Sequence, residues 1–450
     1  MNLHTLLQER EAQGRPIRVG LIGAGKFGSM FLSQARLIPG IQVAGIADLQ
    51  IERIQAALTK TGWTDESMQV AHSEAEVNDL SAAGRIAMVE DSSHLIDAEL
   101  EVIIECTGIP EVGVRHALRA FNRASHVIMV NVEADCLVGP LLQEKAKYAG
   151  VVYSLAYGDQ PAIICEMVDW ARACGFEVMA AGKGTKYLPE YHHCTPDTVW
   201  DYYGFTEEQL AQGDFNPKMF NSFLDGTKSA IEMAAVANAT ALVPQPEGLS
   251  FPPVSARRLA DTLKPKEDGG SLTRSGTVEV ISCLDRGGSL LEDDLRFGVF
   301  VTFKAPTEYV RRCFAEYGLY TDSSGLYAGL YRPAHLIGLE LSISVASAAL
   351  RGEPTGSARG FVGDVGSVAK RDLRPGDVLD GEGGYTVYGK LLPAGHSLSK
   401  GVLPLGLASD LKVKRPVAAD GWVSYDDVET DPHSMVLNLR QEMEVKFRHQ

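Results

Sequence analysis

The sequence has no CxxC pair among its seven cysteines, no tandem repeat, and no apolar run near the roughly 20 residues of a membrane span. Scattered cysteines of odd number argue against a disulfide framework and against a zinc site of paired cysteines. Positive charge is also short: Lys+Arg 42 against Asp+Glu 58 gives a net charge of −16. So acidic a chain is not expected to bind nucleic acid or an anionic membrane non-specifically. The opening MNLHTLLQEREAQG is a charged helical pattern rather than an apolar export segment, which points to a cytoplasmic protein. What is present is ordinary globular usage, 45% hydrophobic and 22% charged. At 450 residues the chain is long enough for about three domains. Its 45 glycines announce many tight turns and close backbone approaches.

Arg18 to Ile22 reads as a short buried strand running into Gly23-Ala24-Gly25-Lys26-Phe27-Gly28. A helical stretch follows until Pro39-Gly40, and a second strand from Ile41 to Ala47 ends at Asp48, 20 residues after Gly28. This is the dinucleotide-binding pattern in its strand–turn–helix–strand context. Gly23 permits the turn, Gly25 lets the backbone approach a pyrophosphate, and Gly28 lets the helix pack on the strand. The free N–H groups of the helix start, at Lys26 and Phe27, favour phosphate. Asp48 suits a ribose diol and NAD(H), whereas Arg53 or Lys26 offers the cation that NADP(H) would need, so both coenzymes stay open. Further strands at 102–106 and 126–131 end at Thr107, Gly108 and Asn131. Carboxyl ends of strands are where a doubly wound sheet gathers its ligands, though Thr107 and Asn131 also suit helix capping. Residues 151–156 complete the sheet.

The middle of the chain reads as an α+β substrate domain. Gly158-Asp159-Gln160-Pro161 opens a helix that Gly175 stops. Residues 178–182 then lead into a glycine-containing turn with Lys183 and Lys186, followed by His192 and His193. Lysines beside glycine-loop amides suit an anionic or carbonyl-bearing substrate. Adjacent histidines do not face one way on an extended chain, so they do not imply a shared metal. A second long helix opens near Phe223, with Asp225 and Lys228 three residues apart on one face, able to bind a hydroxyl and pass a proton to an alkoxide. Residues 261–276 read as a polar mobile loop, a candidate lid, and Leu336 to Leu350 as one buried helix. Past Val368, alternating strands and turn dipeptides suggest a compact β module.

The fold expected is therefore α/β: a Rossmann-type doubly wound sheet over 1–160, an α+β substrate and probable dimerisation domain over 161–367, and a small β-rich module over 368–450. Residues 15–160 resemble the nucleotide domain of homoserine dehydrogenases, and Gly182 to Lys186 with Asp225 to Lys228 loosely resemble that family's substrate region. Asn131 is followed by Val132 and Glu133 rather than by that family's lysine, which points away from ordinary homoserine chemistry. The tail from Arg371-Asp372-Leu373-Arg374-Pro375-Gly376 to Gly401-Val402-Leu403-Pro404 resembles a SAF module. Taken together, the chain is similar to the DRL family, 1-deoxy-D-xylulose 5-phosphate reductoisomerase-like enzymes. That resemblance implies NADPH, a divalent cation (Mg2+ or Mn2+), a homodimer and synthesis of the isoprenoid precursor methylerythritol 4-phosphate. On the reading of the residues themselves, Lys183, Lys186, Asp225 and Lys228 are the candidate catalytic set, and Glu133 or Asp135 could help bind a cation. The alternatives are a plain dehydrogenase of a hydroxy acid, polyol or amino alcohol, and a non-enzymatic cofactor sensor or carbohydrate binder.

Overall fold

The computed structural model describes residues 2–212 and 215–448, so positions 1, 213, 214, 449 and 450 lie outside the described residues. The chain forms two compact units, one of Met1–Ile163 and Leu336–Ser357, the other of Ile164–His335 and Ala358–Gln450.

The first unit is built on seven strands: β1 (Ile17–Ile22), β2 (Ile41–Ala47), β3 (Met68–Val70), β4 (Ile86–Val89), β5 (Val102–Glu105), β6 (His126–Met129) and β7 (Tyr153–Leu155). Their order is β3-β4-β2-β1-β5-β6-β7, and every neighbouring pair is parallel. Parallel strands need crossovers, and the intervening helices supply them, which is why the strands read as apolar runs rather than as alternation. The expected doubly wound sheet is thus present, with two short strands, β3 and β4, that the sequence pattern does not announce. The helix at Leu3–Ala12 matches the charged opening.

The apolar stretch beginning at Leu336 is not one helix. Residues 336–341 form turns, and the helix runs Ser342–Arg351. Its Val345, Ala346 and Ala348, with Leu341, belong to the same buried cluster as Ile17, Val19, Ile104 and Ile128. The early part fails to wind because Gly338 is left-handed (φ 70°) and packs on Phe27 and Met30, where a Cβ would lie 2.7 Å from the Phe27 carbonyl oxygen.

The second unit carries a six-stranded mixed sheet of β8 (Glu177–Thr185), β9 (Val243–Pro244), β10 (Thr277–Ser282), β11 (Val299–Lys304), β12 (Tyr320–Thr321) and β13 (Tyr327–Arg332), in the order β12-β13-β11-β8-β10-β9. The long helix Thr227–Thr240 is buried along nearly its whole length, which its alanine-rich sequence permits. The C-terminal strands β14 (Gly363–Ala369), β15 (Val378–Asp380), β16 (Val387–Pro393) and β17 (Ser409–Lys412) form two antiparallel pairs, β14 with β16 and β15 with β17. A closing helix, Met435–Phe447, follows.

Residues 261–276 differ from the mobile lid expected. Lys264 pairs with Asp322 at 2.7 Å, Thr302 donates to the Leu263 carbonyl at 2.9 Å, and Leu263 and Leu272 are fully buried. Apolar anchors at both ends tie down a segment whose polar composition alone suggests freedom.

Candidate active site

The glycine turn of the first unit has the geometry its sequence requires. Gly23 sits at φ 103°, and a Cβ there would lie 2.9 Å from the Cys106 carbonyl oxygen. Gly28 admits no side chain, because a Cβ would stand 2.4 Å from the Gly23 oxygen. Gly25 is different: a Cβ would meet nothing within 4 Å. That open space lies at the N-cap of the helix Lys26–Ala35, whose first residues are Lys26, exposed, and Phe27, half-buried. Asp48 accepts the Ala24 N–H at 2.9 Å and the Gln50 N–H at 3.2 Å, and Arg53 lies 3.7 Å away. The acid at the end of β2 therefore holds the glycine turn, with a cation beside it.

Thr107 donates its hydroxyl to Glu105 at 2.6 Å, and Gly108 is left-handed at φ 72°. Asn131 caps the helix Val132–Ala149 by accepting the Ala134 N–H at 3.1 Å, and its amide nitrogen donates to the Ile109 carbonyl at 2.9 Å. These residues stand at the carboxyl ends of β1, β2, β5 and β6, four neighbours in the sheet. The open space at Gly25, the helix start and the acid on the next strand fit a dinucleotide. Glu105 was not singled out from the sequence. It is fully buried beneath this loop, with His116 Nδ1 at 3.3 Å. Its strand position hides it, since a single acid in an apolar run carries no spacing signal.

Asp135 does not face a cation. It is buried against Tyr153, whose hydroxyl donates to it at 3.0 Å, and burial pushes its carboxyl up to about 7. Among the described residues, no group of three or more His, Cys, Asp or Glu is placed to hold a metal ion. The described residues therefore do not assemble a divalent-cation site.

In the second unit, Gly182 to Thr185 is not a turn but the end of the central strand β8. Its glycines answer crowding: a Cβ on Gly182 would stand 1.7 Å from the Glu279 oxygen, and one on Gly184 would stand 1.9 Å from the Leu295 oxygen. With strand periodicity, Lys183 and Thr185 share one face, and Tyr187 follows two residues past the strand's end. Lys183 is buried and pairs with Glu232 on the helix Thr227–Thr240. Lys228 stands one helical turn before Glu232, on the same face of that helix. Lys186 points elsewhere. Its ammonium donates to the Tyr202 carbonyl and lies 5.6 Å from the Tyr203 ring centroid, and burial lowers its pKa.

Asp225 and Lys228 do not share one helix. The preceding helix ends at Leu224, Gly226 breaks the chain at φ 86°, and the next helix begins at Thr227. The Asp225 carboxylate accepts the Thr227 N–H at 2.9 Å and pairs with Lys370 at 2.8 Å. Lys370 also donates to the Cys194 and Gly384 carbonyls at 2.7 and 2.8 Å. Neither Glu232 nor Lys370 was found from the sequence, because each meets its partner only through the tertiary fold. The two histidines diverge: His192 bonds Tyr187 and the Asp225 carbonyl, whereas His193 bonds the Lys370 carbonyl.

A buried ammonium held against a carboxylate can protonate an alkoxide as it forms, and the second lysine adds positive charge for an anionic substrate. Residues 158–341 match the family model described as "Oxidoreductase DRL, catalytic domain", a stretch shorter than half of the chain. No curated protein matches the chain. Solved structures with some likeness include scyllo-inositol dehydrogenase from Lactobacillus casei (13% identity, 39% of this chain and 47% of that one, TM-score 0.26). An oxidoreductase from Agrobacterium radiobacter in complex with NAD+, L-tartaric acid and magnesium is another (13% identity, 38% and 44%, TM-score 0.28). A third is a 3-ketoreductase from Actinomadura kijaniata in complex with NADP (15% identity, 39% and 48%, TM-score 0.26). The chain spans less than half the length of each, and at such TM-scores the likeness carries no argument. The middle of the chain thus matches an oxidoreductase catalytic domain, and the glycine turn of the first unit leaves space that fits a dinucleotide.

Proposed function

We propose that the protein reduces a small polyhydroxylated carbonyl compound, with a sugar phosphate such as 1-deoxy-D-xylulose 5-phosphate isomerised and reduced to 2-C-methyl-D-erythritol 4-phosphate. The observation that carries this reading is the buried Lys183–Glu232 pair, with Lys228 one helical turn from Glu232, inside the stretch that matches the DRL catalytic domain. A dinucleotide, when bound, would supply the hydride. Gly23, Gly25, Lys26, Phe27 and Gly28 would hold its phosphates and Asp48 its ribose, with Thr107, Gly108 and Asn131 at the strand ends beside it. Lys183 would give a proton to the oxygen that becomes alkoxide on reduction and regain one from solvent, while Glu232 keeps its ammonium oriented. Lys228 draws in the phosphate, Lys186 holds the Tyr202 carbonyl at the edge of the site, and Asp225, paired with Lys370, fixes the helix start by accepting the Thr227 N–H. A homodimer, a C-terminal module of SAF type, a cytoplasmic location and a role in isoprenoid-precursor synthesis belong to the same proposal.

A plain dehydrogenase of a hydroxy acid, polyol or amino alcohol is the second reading. It needs only a hydride and a proton, and the Lys183–Glu232 pair supplies the proton alone.

The test is NADPH oxidation by the purified protein with 1-deoxy-D-xylulose 5-phosphate and Mg2+ or Mn2+, beside an NADH control. Formation of methylerythritol 4-phosphate is the expected result. Turnover of other hydroxy acids or polyols without carbon migration would favour the second reading. Lys228→Ala should lower turnover about 100-fold at unchanged dinucleotide affinity; normal turnover would remove Lys228 from the site.

A further inference from the structure

Beyond the lysines, the second unit holds a polar pair that the proposed reaction has not yet used. The Tyr187 hydroxyl lies 2.8 Å from His192 Nε2, and His192 Nδ1 lies 2.7 Å from the Asp225 carbonyl oxygen. A carbonyl only accepts, so Nδ1 carries the ring hydrogen. Nε2 is then bare, and the Tyr187 hydroxyl is its donor. This arrangement fixes one tautomer and leaves the lone pairs of the phenol oxygen directed away from the histidine.

The fold holds this pair in place at some expense. Tyr187 stacks on Phe251 with ring centroids 3.9 Å apart, and His192 stacks on Tyr388 of β16 at 4.5 Å. Phe251 is held at φ 47°, a conformation that disfavours a side chain. What holds it is Glu279, a fully buried carboxylate that accepts from Gln245 (2.6 Å), the Ser250 hydroxyl (2.6 Å) and N–H (3.0 Å), and the Phe251 N–H (3.4 Å). Arg286 closes the same turn by donating to the Phe251 carbonyl at 3.1 Å. Strain and a buried acid are thus directed at positioning one tyrosine ring.

Position gives the pair a purpose. Tyr187 stands two residues past the end of β8, the strand that carries Lys183. His192 packs at Gly226, where a Cβ would lie 3.3 Å from the imidazole, at the start of the helix that carries Lys228 and Glu232. Six residues of helix separate Gly226 from Glu232, about 9 Å.

We propose that Tyr187 is a catalytic base for a substrate hydroxyl and that His192 is the positioning residue that receives its proton. The substrate O–H bond breaks as a new Tyr187 O–H bond forms, while the original phenol O–H bond breaks and His192 Nε2–H forms. The products are a substrate alkoxide and an imidazolium, with no change of oxidation state. The imidazolium is stabilised by the Asp225 carbonyl and by the face of Tyr388. An alkoxide is what a carbon-skeleton shift and the departure of hydride from an alcohol both require. The inference therefore rests on the proposed function but holds for either reading of it.

The resting protonation agrees. Burial lowers the His192 pKa, so the ring is neutral and ready to accept, and burial pushes the Tyr187 phenol up to about 12. Asp225, Lys390 and His193 are the charged or titratable groups acting on His192, and Arg286 and Glu190 act on Tyr187.

The experiment is a pH profile of kcat/KM in the alcohol-oxidising direction for the full chain, Tyr187→Phe and His192→Asn. Wild type should lose activity on the acid side as His192 takes up a proton. Tyr187→Phe keeps the ring stack; it should lower kcat about 100-fold, leave KM and dinucleotide affinity within about twofold, and abolish the acid limb. His192→Asn should do the same. A Tyr187→Phe enzyme with full kcat, or a wild-type profile without an acid limb, overturns the assignment even if either variant fails to fold. Wild type inactive on every polyhydroxylated substrate with both coenzymes overturns the proposed function and this assignment together, whereas active wild type with an equally active Tyr187→Phe overturns only the assignment.

Discussion

Gly25 and Gly28 lie three residues apart in one turn, yet a side chain would do different things at each. At Gly28 a Cβ is driven into the Gly23 carbonyl at 2.4 Å, so Gly28→Val forces helix and strand apart and should lower the melting temperature by several degrees. At Gly25 a Cβ meets open space, so Gly25→Val should melt with wild type and lose dinucleotide affinity at least 10-fold. Fluorescence titration with NADPH, beside thermal melts, separates the two outcomes. Equal dinucleotide affinity in Gly25→Val would remove the turn from the cofactor site. Asp135 gives a second residue-scale expectation. Its folded carboxyl titrates at about 7 against an ordinary 3.8, so the folded state keeps a proton that the unfolded chain releases. Stability should therefore fall as pH rises from about 4 to about 7 and level off above, by up to roughly 4 kcal/mol. Asp135→Asn keeps an acceptor for the Tyr153 hydroxyl and removes that slope. Its melting temperature should exceed wild type at pH 8 and approach it at pH 5. The glycines were legible in the sequence because a local turn dictates them. Glu105, Glu232 and Lys370 were not, since a buried charge is recognised only by the partner that the fold brings to it.

At the scale of elements, local pattern works where a helix or strand is decided by its own residues and fails where a neighbour decides. β1, β2, β5 and β6 are evident as apolar runs between turns, but β3 is only three residues long and β4 four, too short for any period to register. Gly182 and Gly184 look like a turn because glycine usually marks one. Here they are the only residues that fit under the Glu279 and Leu295 carbonyls, a contact invisible along the chain. Asp225-Gly226 was read through as helix, whereas the left-handed glycine ends one helix and starts another. The closing helix shows how much a single buried group can decide. Arg440 is fully buried, donates to both oxygens of Asp364 at 3.0 and 2.6 Å and to Glu444 at 2.7 Å, and lies over the Phe361 ring. Removing one partner leaves the other charge buried and unpaired, at about 3–5 kcal/mol, whereas replacing both with apolar groups can be nearly neutral. Arg440→Met should thus destabilise strongly in urea melts, and Arg440→Met with Asp364→Leu should recover much of the loss. Additive losses in the double variant would show that the pair does not act as a unit.

At the scale of the whole molecule, chain order and compact units do not coincide. The first unit is completed only when the chain returns at 336–357. That return contributes Leu341, Val345 and Ala346, each fully buried in the core beneath the parallel sheet. It also satisfies polar groups that would otherwise face an open surface. Ser344 accepts the Tyr157 N–H at 2.8 Å, Thr355 donates its N–H to Ser154 at 2.9 Å, and Gly356 accepts the Leu155 N–H at 2.8 Å. Burying each large apolar side chain is worth about 1.5–3 kcal/mol, and a domain's net stability is only about 5–15 kcal/mol. A fragment of residues 1–163 should therefore be expressed without a cooperative melt, despite containing every strand of the dinucleotide sheet. The two breaks are near one another, since a Cβ on Gly158 would lie 2.8 Å from the Leu336 oxygen. A short glycine–serine linker joining 163 to 336, with the chain ended at 357, is then expected to restore a cooperative melt and NADPH binding. Cooperative unfolding of 1–163 alone would mean that the returning segment decorates a core already complete.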